Sequence, residues 1–321
     1  MLVVSSLTVP PLFARLSDAQ RILIAGAGGG FDVYAGLPLA TALRASGKQV
    51  HLANLSFSDL DGLDIDSWVE PGLAAVTPDS LGGAGYFPER TLSRWLSARS
   101  LPSTVYAFPR TGVQPLRSAY ATLVRRLDLD AIVLVDGGTD ILMQGDESGI
   151  GTPEEDMASL AAVAGLDGID RLVVSLGFGI DSFHGVSHAD VLENLAMLQR
   201  VGGYLGALSI PPDSPEAAAY LDAVSHAQSS TPLRPSIVNG QIAAAVRGQF
   251  GNVHVTSRTS GSELFVNPLM AVYFTVDLLT LARHVKYLPS LENTRTITEI
   301  AYAIEDYRDT VPRRPRRTLP H

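Results

Sequence analysis

A chain of 321 residues, of which 46% are hydrophobic and 18% charged, is long enough for one large α/β domain or two ordinary ones and is not composed like a disordered chain. Its formal net charge of −9 argues against nucleic acid as a partner, because phosphate backbones are bound mainly by clustered Lys and Arg. The absence of cysteine excludes disulfides, thiolate catalysis and zinc–thiolate sites. Any metal must therefore be held by oxygen or imidazole ligands.

The two ends of the chain give expectations about location and disorder. The N-terminal residues lack the basic region and sustained apolar core of a signal peptide, and no stretch is long enough to span a bilayer. We therefore expect a cytoplasmic protein without a membrane partner. A proline interrupts the one basic run, residues 313–317. Residues 312–321 are thus predicted to be a basic disordered tail after a single α/β domain, residues 1–311. The composition is compatible with a homo-oligomer.

The first predicted strand, in residues 21–30 (RILIAGAGGG), runs into a glycine-rich turn. Gly28, Gly29 and Gly30 are predicted to hold a phosphate or carboxylate through their backbone N–H groups at a helix start. The alternative is a tight turn beneath a close helix, with no ligand. Asp32 follows the glycines and could bind a ribose hydroxyl, an amine or a metal, or could cap the helix.

The strongest signal lies in residues 131–156, AIVLVDGGTDILMQGDESGIGTPEED. Its apolar start is typical of a buried strand in a parallel sheet, and such sheets bind ligands beyond the carboxyl ends of their strands. Thr152 and Pro153 are predicted to begin a helix, with Thr152 as the N-cap. The predicted site residues of this stretch are four carboxylates and one glycine that lets the backbone approach a ligand: Asp136, Asp140, Asp146, Glu147 and Gly138.

Another buried strand, residues 171–176, ends in a second polar glycine loop. Because the carboxyl ends of parallel strands meet at one edge of a sheet, Asp181 should join the aspartates of the preceding loops. His184 and His188 could be metal ligands or acid/base groups. For His188, a surface position in the first turn of the next helix is an equal alternative.

Residues 253–256 are predicted to form a short strand that leads into a polar loop, and residues 267–281 are predicted to form an apolar helix. In that loop, Arg258 is the best candidate to face an anionic ligand, because a guanidinium can grip phosphate or carboxylate with two hydrogen bonds. An ion pair between Arg258 and Glu263 is the alternative. Ser260 and Glu263 are the other predicted ligand-binding residues of the loop.

The alternation of strands and helices along the chain predicts an α/β fold. We expect a Rossmann-like three-layer sandwich with a mostly parallel central sheet.

Four motifs together resemble a widespread archaeal and bacterial conserved family, a domain of unknown function, over nearly the whole chain. They are GAGGGFDVYAGLPLA, DGGTDILMQGDESGIGTPEED, VLENLAML and RTSGSELFVNPLMAVYF. This resemblance implies no activity. A second resemblance is to sirtuins and other deoxyhypusine-synthase-like NAD-binding domains, through Gly-Ala-Gly followed by Gly36-Leu37-Pro38. The sirtuin catalytic Gln-Asn-x-Asp segment and zinc cysteines are missing, so it implies NAD or another nucleotide as ligand but not sirtuin activity.

These residues predict an enzyme that acts on a small phosphorylated or nucleotide-like metabolite as a hydrolase, transferase or lyase. Carboxylates among glycine loops suit Mg²⁺ or a similar hard cation, which polarises a phosphoryl oxygen or activates water. The predicted metal ligands, one of which could act as a general base, are Asp136, Asp140, Asp146 and Glu147. Two alternatives stay open: metal-free catalysis by Asp181 and His184, and a non-catalytic sensor that binds a nucleotide or small metabolite.

Overall fold

A mixed β-sheet with helices on both faces organises the protein; the computed structural model describes residues 6–83 and 85–319. The strands in these residues are β1 (Arg21–Gly26), β2 (Gln49–Ser56), β3 (Trp68–Glu70), β4 (Leu73–Val76), β5 (Val105–Pro109), β6 (Ala131–Asp136), β7 (Asp170–Ser175), β8 (Tyr204–Ser209) and β9 (Val272–Asp277). They lie in the order β3-β4-β5-β2-β1-β6-β7-β9-β8.

Helices alternate with most of these strands. They are α1 (Pro11–Arg15), α2 (Asp32–Ala35), α3 (Leu37–Ala45), α4 (Pro88–Ser97), α5 (Val113–Leu127), α6 (Pro153–Ala164), α7 (His188–Arg200), α8 (Pro215–Ser230), α9 (Ile237–Val246), α10 (Leu278–His284), α11 (Leu288–Leu291) and α12 (Ile297–Thr310). Short 3₁₀ turns lie at Ile65–Ser67, Asp140–Leu142, Ile180–His184, Ser257–Thr259 and Pro268–Ala271. Among the helices described, none combines the length and hydrophobicity that a bilayer crossing requires.

The predicted α/β class is confirmed, but the sheet is mixed. Its five central strands, β5-β2-β1-β6-β7, pair in parallel, whereas β3, β4, β8 and β9 add antiparallel pairs at both edges. At one edge, only Pro71 and Gly72 separate β3 from β4, and two residues can join antiparallel strands but not parallel ones. The parallel arrangement therefore holds at the centre, where the site is, and ends at the edges.

The predicted helix at residues 267–281 is wrong. A 3₁₀ turn is followed by β9, and α10 begins only at Leu278. Residues 272–276, VYFTV, are aromatic or β-branched and favour a strand, and here they fill the position between β7 and β8. The predicted strand at residues 253–256 is also wrong, because this segment is an irregular loop held by an isolated bridge between Gly251 and Val266.

Two large apolar clusters pack against opposite faces of the central strands. Leu23 and Ala25 of β1 belong to a cluster with residues of α5 and α6. Ile22 and Ile24 belong to another, with residues of α8 and α9. Full burial of a Leu or Ile side chain contributes roughly 1.5–3 kcal/mol. The carboxyl edge of the parallel strands is thus a rigid base for the loops that follow it.

Two of these loops pack backbone against backbone. A Cβ atom added to Gly149 would lie 2.4 Å from the carbonyl oxygen of Gly185. We expect Gly149→Ala to lower the free energy of unfolding by roughly 1–3 kcal/mol, because the backbones must separate. Urea denaturation measures this, with Gly261→Ala as control, since a Cβ on Gly261 would meet nothing within 4 Å. Equal stability losses in both variants would contradict the packing argument.

Candidate functional site

A cavity of about 520 Å³ is lined by loops that follow β1, β6 and β7. β1 and β6 are neighbours at the centre of the sheet, and the strand order runs outward from them in opposite directions, to β2 on one side and β7 on the other. Open α/β sheets bind ligands at such a switch point. The predicted site residues that line the cavity are Gly28, Gly29, Gly30, Asp32, Asp136, Asp140, Asp181, His184 and Arg258.

Three carboxylates meet in this cavity. Asp32, Asp136 and Asp156 each offer one oxygen, and these three atoms lie within 4.8 Å of one another. Asp136 Oδ2 and Asp156 Oδ1 are buried and have no hydrogen-bond partner within the described part of the chain. No salt bridge formed by the described residues involves any of the three aspartates. We call this set the carboxylate cluster; no basic side chain of the described residues forms an ion pair with it.

Burial makes these groups hold their protons. Burial, together with the charges of neighbouring carboxylates, raises the pKa of Asp32 to about 7 and the pKa values of Asp136 and Asp156 well above the usual range. A buried carboxyl group without a nearby positive charge resists ionisation, whereas a bound cation would favour the ionised form. The cluster is therefore suited to exchange protons for a positively charged ligand.

Glycines make room for the cluster. A Cβ on Gly28 would lie 2.8 Å from both Asp156 Oδ1 and Asp32 Oδ2, and one on Gly137 would lie 2.8 Å from Asp32 Oδ1. Any larger residue at these two positions would push the carboxylates apart. The close approach of backbone to carboxylate, and not flexibility, is what these glycines provide.

The glycine turn after β1 is only partly available to an anion. Gly28 N–H donates to Asp32 Oδ2 at 2.7 Å, so this donor is already used. The N–H groups of Gly29 and Gly30 have no acceptor among the residues described. Behind the turn, Asn54 Nδ2 donates to the carbonyl of Gly30 at 2.8 Å and fixes its orientation. The hydrogen bond that the turn makes within the protein therefore goes to Asp32, through Gly28 N–H.

Asp140 and Asp181 line the same cavity but also anchor loops. Asp140 Oδ2 accepts the backbone N–H of Thr152 at 2.9 Å, and Asp181 Oδ2 accepts that of Thr139 at 2.6 Å. Burial raises the pKa of both aspartates. Thr152 precedes α6 as predicted, but its side chain makes no capping bond; its hydroxyl lies 3.4 Å from Asp140 Oδ2 instead.

The remaining predicted residues of these loops divide between the cavity and its surroundings. His184 is exposed at the cavity wall, close enough to Asp140 for its positive charge to lower the pKa of that aspartate. Gly138 packs behind the wall, where a Cβ would lie 2.7 Å from Asp181 Oδ2. His188 packs against Phe178 and does not line the cavity.

Arg258 lines the cavity, whereas Ser260 and Glu263 do not; both are exposed on the surrounding loop. Arg258 and Glu263 do not form the ion pair that was the alternative prediction. Arg258 Nη1 instead donates to the carbonyl of Pro235 at 2.8 Å. This bond holds the guanidinium beside the start of α9.

Asp146 and Glu147, predicted as metal ligands, lie outside the cavity in a separate network. Arg314 donates to Asp146 Oδ1 at 2.9 Å and to Glu147 Oε1 at 2.7 Å, and Lys286 pairs with Asp146. Glu147 is fully buried and also accepts two backbone N–H groups, from residues 144 and 145. These carboxylates are balanced by arginine and lysine and hydrogen-bonded, so the structure does not bring them to the carboxylate cluster.

Arg314 belongs to the segment predicted to be a disordered tail. In the structure it also pairs with Glu193, which Arg317 contacts as well. The division into a domain of residues 1–311 and a tail stays a prediction, and residues 320 and 321 lie outside the described residues.

Asp156 is the member of the carboxylate cluster that the sequence analysis does not predict as a site residue. An acidic residue in the first turn of a helix is usual, because it interacts favourably with the helix dipole, so this position alone does not indicate a ligand. The apolar run that follows it, MASLAAVA, was the available signal: every residue from Met157 to Val163 is buried. In a helix that is buried on all sides, a carboxylate in the first turn can also be buried. Three aromatic side chains that were not predicted, those of Phe57, Tyr86 and Phe183, also line the cavity.

The profile of a family described as a protein of unknown function (DUF1152) matches residues 23–308. The chain belongs to this family. The resemblance noted in the sequence is thereby confirmed, and the matched span of this DUF1152 protein includes the whole carboxylate cluster and every cavity-lining residue. Comparison with curated proteins finds no match.

Proposed function

We propose that the protein is an enzyme that binds a divalent cation, Mg²⁺ or Mn²⁺, through the carboxylate cluster and acts on a small phosphorylated or nucleotide-like metabolite. The observation that carries the proposal is the convergence of Asp32, Asp136 and Asp156 within 4.8 Å, with two buried carboxylate oxygens that have no partner in the described chain.

A hard cation is the ligand that fits these groups best. Ionised carboxylates buried without a counter-charge are strongly unfavourable, so a ligand that binds the ionised form must supply positive charge. Mg²⁺ prefers oxygen ligands in an octahedron and is usually held by one or two carboxylates together with water and substrate phosphates. Three carboxylates from three different elements, the start of α2, the end of β6 and the first turn of α6, can hold such an ion and leave positions open for a substrate.

The chemistry of the cavity supports reaction types that need a cation and a proton-transfer group. When bound, a divalent cation would polarise a phosphoryl oxygen or activate a water molecule. Asp181 and His184 line the same cavity and are the residues that could take or give the proton. Hydrolysis and group transfer can both use this combination.

The ligand class rests on the position and size of the cavity. A Rossmann-like arrangement of β1, the glycine turn and β6 would place a nucleotide-type ligand, NAD included, at this switch point. The volume of about 520 Å³ lies in the usual range of small-molecule sites. The aromatic side chains of Phe57, Tyr86 and Phe183 line the cavity and can pack against a planar group, and Arg258 can face an anionic one.

Calorimetry tests the cation site. We expect wild-type protein to bind Mn²⁺, and Asp156→Asn to bind it about 100-fold more weakly or worse, because one of three charged ligands is lost. Asp190→Asn is the matched control: Asp190 is also buried, with both carboxylate oxygens unpartnered in the described chain, but it does not line the cavity. Failure of the wild type to bind Mn²⁺ or Mg²⁺, alone or with nucleotides, would overturn the proposal.

The sensor alternative needs the same ligands but no reaction. A metabolite library screened with Mg²⁺ for both thermal stabilisation and product formation separates the two. Stabilisation by a metabolite without turnover under any metal condition would favour the sensor over the enzyme.

A further inference from the structure

We propose that the first turn of α9, together with Gln241 and Arg258, forms the subsite that binds the phosphate or diphosphate group of the substrate. This inference rests on the proposed function, since it names the part of the substrate that faces the carboxylate cluster. It assigns the anionic group to α9 and not to the glycine turn after β1.

The start of α9 offers two free backbone donors to the cavity. Ser236 is the N-cap, and its hydroxyl accepts the N–H of Asn239 at 3.1 Å, while Gly240 N–H bonds to the carbonyl of Ser236. The N–H groups of Ile237 and Val238 are left without an acceptor in the described chain, and both residues line the cavity. α9 has 10 residues, so its N-terminus also carries the partial positive charge of a regular helix.

Gln241 is an independent indication of a ligand. Its residue surface is only 4% exposed, and it lines the cavity one turn beyond Ile237. Its side-chain amide has no hydrogen-bond partner among the residues that the structure describes, and because its nitrogen and oxygen are not fully enclosed they face the open space of the cavity. A ligand with acceptor oxygens at the start of α9 would supply that partner.

Arg258 completes the subsite with a full positive charge. Its bond to the Pro235 carbonyl fixes the guanidinium beside the helix start, and its remaining N–H groups have no acceptor within the chain as described. The subsite thus contains several hydrogen-bond donors: two backbone N–H groups, an amide and a guanidinium. A phosphate or diphosphate has the acceptor oxygens and the charge to match them.

The subsite lies directly beside the carboxylate cluster. Val238 Cγ1 would be 3.1 Å from a Cβ on Gly137, which follows Asp136 in the chain. Asn239 Nδ2 donates to the carbonyl of Phe31, which precedes Asp32, at 3.1 Å. The first turn of α9 therefore touches two of the three segments that carry the cluster, those of Asp32 and Asp136. A phosphate there would have donors on one side and the cation-binding carboxylates on the other.

The glycine turn is the weaker anion site for two structural reasons. One of its donors, Gly28 N–H, is taken by Asp32. The helix that follows it, α2, has 4 residues and therefore little dipole to contribute.

Calorimetry with inorganic pyrophosphate, titrated into metal-free and Mn²⁺-loaded protein, tests the subsite. We expect Gln241→Met and Arg258→Met each to weaken pyrophosphate binding by about tenfold or more, since each removes hydrogen bonds to a charged group. Mn²⁺ affinity measured without pyrophosphate should stay within about twofold of wild type, because neither residue belongs to the cluster. Arg247→Met is the charge-matched control, at the opposite end of α9 and about 15 Å from its first turn.

The outcomes separate this inference from the proposed function. If wild-type protein binds Mn²⁺ and pyrophosphate but both cavity variants bind pyrophosphate as tightly as Arg247→Met, the anion lies elsewhere and only the subsite is wrong. If wild-type protein binds pyrophosphate in neither condition, the subsite is also wrong. If Mn²⁺ does not bind at all, the proposed function fails, and the metal-free titrations still decide whether Gln241 and Arg258 hold an anion.

Discussion

Asp136→Asn should abolish stabilisation of the protein by Mg²⁺ or Mn²⁺ while leaving the metal-free protein as stable as wild type or slightly more so. Asp136 is 3% exposed, and its Oδ2 has no hydrogen-bond partner in the described chain. Burial and the charges of Asp140, Asp181 and Asp32 raise its pKa well above the usual range. An amide of the same shape removes that repulsion but cannot provide the negative charge that a cation requires.

Asp140→Asn is the matched comparison, four residues away. Asp140 Oδ2 accepts the N–H of Thr152, so weakening this bond should lower the stability of the metal-free protein by roughly 1 kcal/mol. Because Asp140 lies beside the carboxylate cluster and is not one of its three members, much of the cation-dependent stabilisation should remain. Thermal melts of both variants with and without Mn²⁺ measure the two effects. A destabilised Asp136→Asn protein that Mn²⁺ still stabilises would remove Asp136 from the cation site.

The free energy of unfolding of the metal-free protein should fall as the pH rises from about 4 to above 7. The pKa of Asp32 is about 7 in the folded protein, against an ordinary value of 3.8. Between these values the folded state binds more protons than the unfolded state, so stability decreases with increasing pH. Asp136 and Asp156 are shifted in the same direction and should strengthen the trend.

Bound Mg²⁺ should reverse that loss, because the cation binds the ionised carboxylates and its affinity rises with pH. Urea denaturation at about pH 5.5 and about pH 8, each with EDTA and with excess Mg²⁺, measures the effect. We expect a small difference between the two conditions at the lower pH and a large one at the higher pH. A metal-free protein that gains stability over this interval would contradict the raised pKa values.

The central strands could be predicted from the sequence because their sequence patterns are clear. β1, β6 and β7 are apolar runs that break into glycines and carboxylates, and burial on both faces leaves no polar alternation. The edge strands β3 and β4 are only 3 and 4 residues long, too short for a pattern. β9 was mistaken for a helix because an apolar run alone does not distinguish a buried strand from a buried helix.

The site shows a similar limit. Asp32, Asp136, Asp140 and Asp181 could be placed in one cavity because a parallel sheet brings the ends of its strands together. Asp156 and Gln241 could not, since their positions depend on how α6 and α9 pack against that edge. Asp146 and Glu147 accept hydrogen bonds from Arg314, which lies 168 positions after Asp146 in the sequence. No local pattern reveals a partner at that distance.

Arg314 gives the last residues of the chain a practical importance. Removal of one partner from a buried ion pair typically costs about 3–5 kcal/mol, because the other charge is left uncompensated. A chain trimmed before Arg314, as terminal segments often are before crystallisation, would leave the fully buried Glu147 without this arginine. Glu147 holds the backbone that leads from Asp140 towards Thr152. Shortening the C-terminus could therefore loosen the cavity wall from behind and be mistaken for a defect in the site itself.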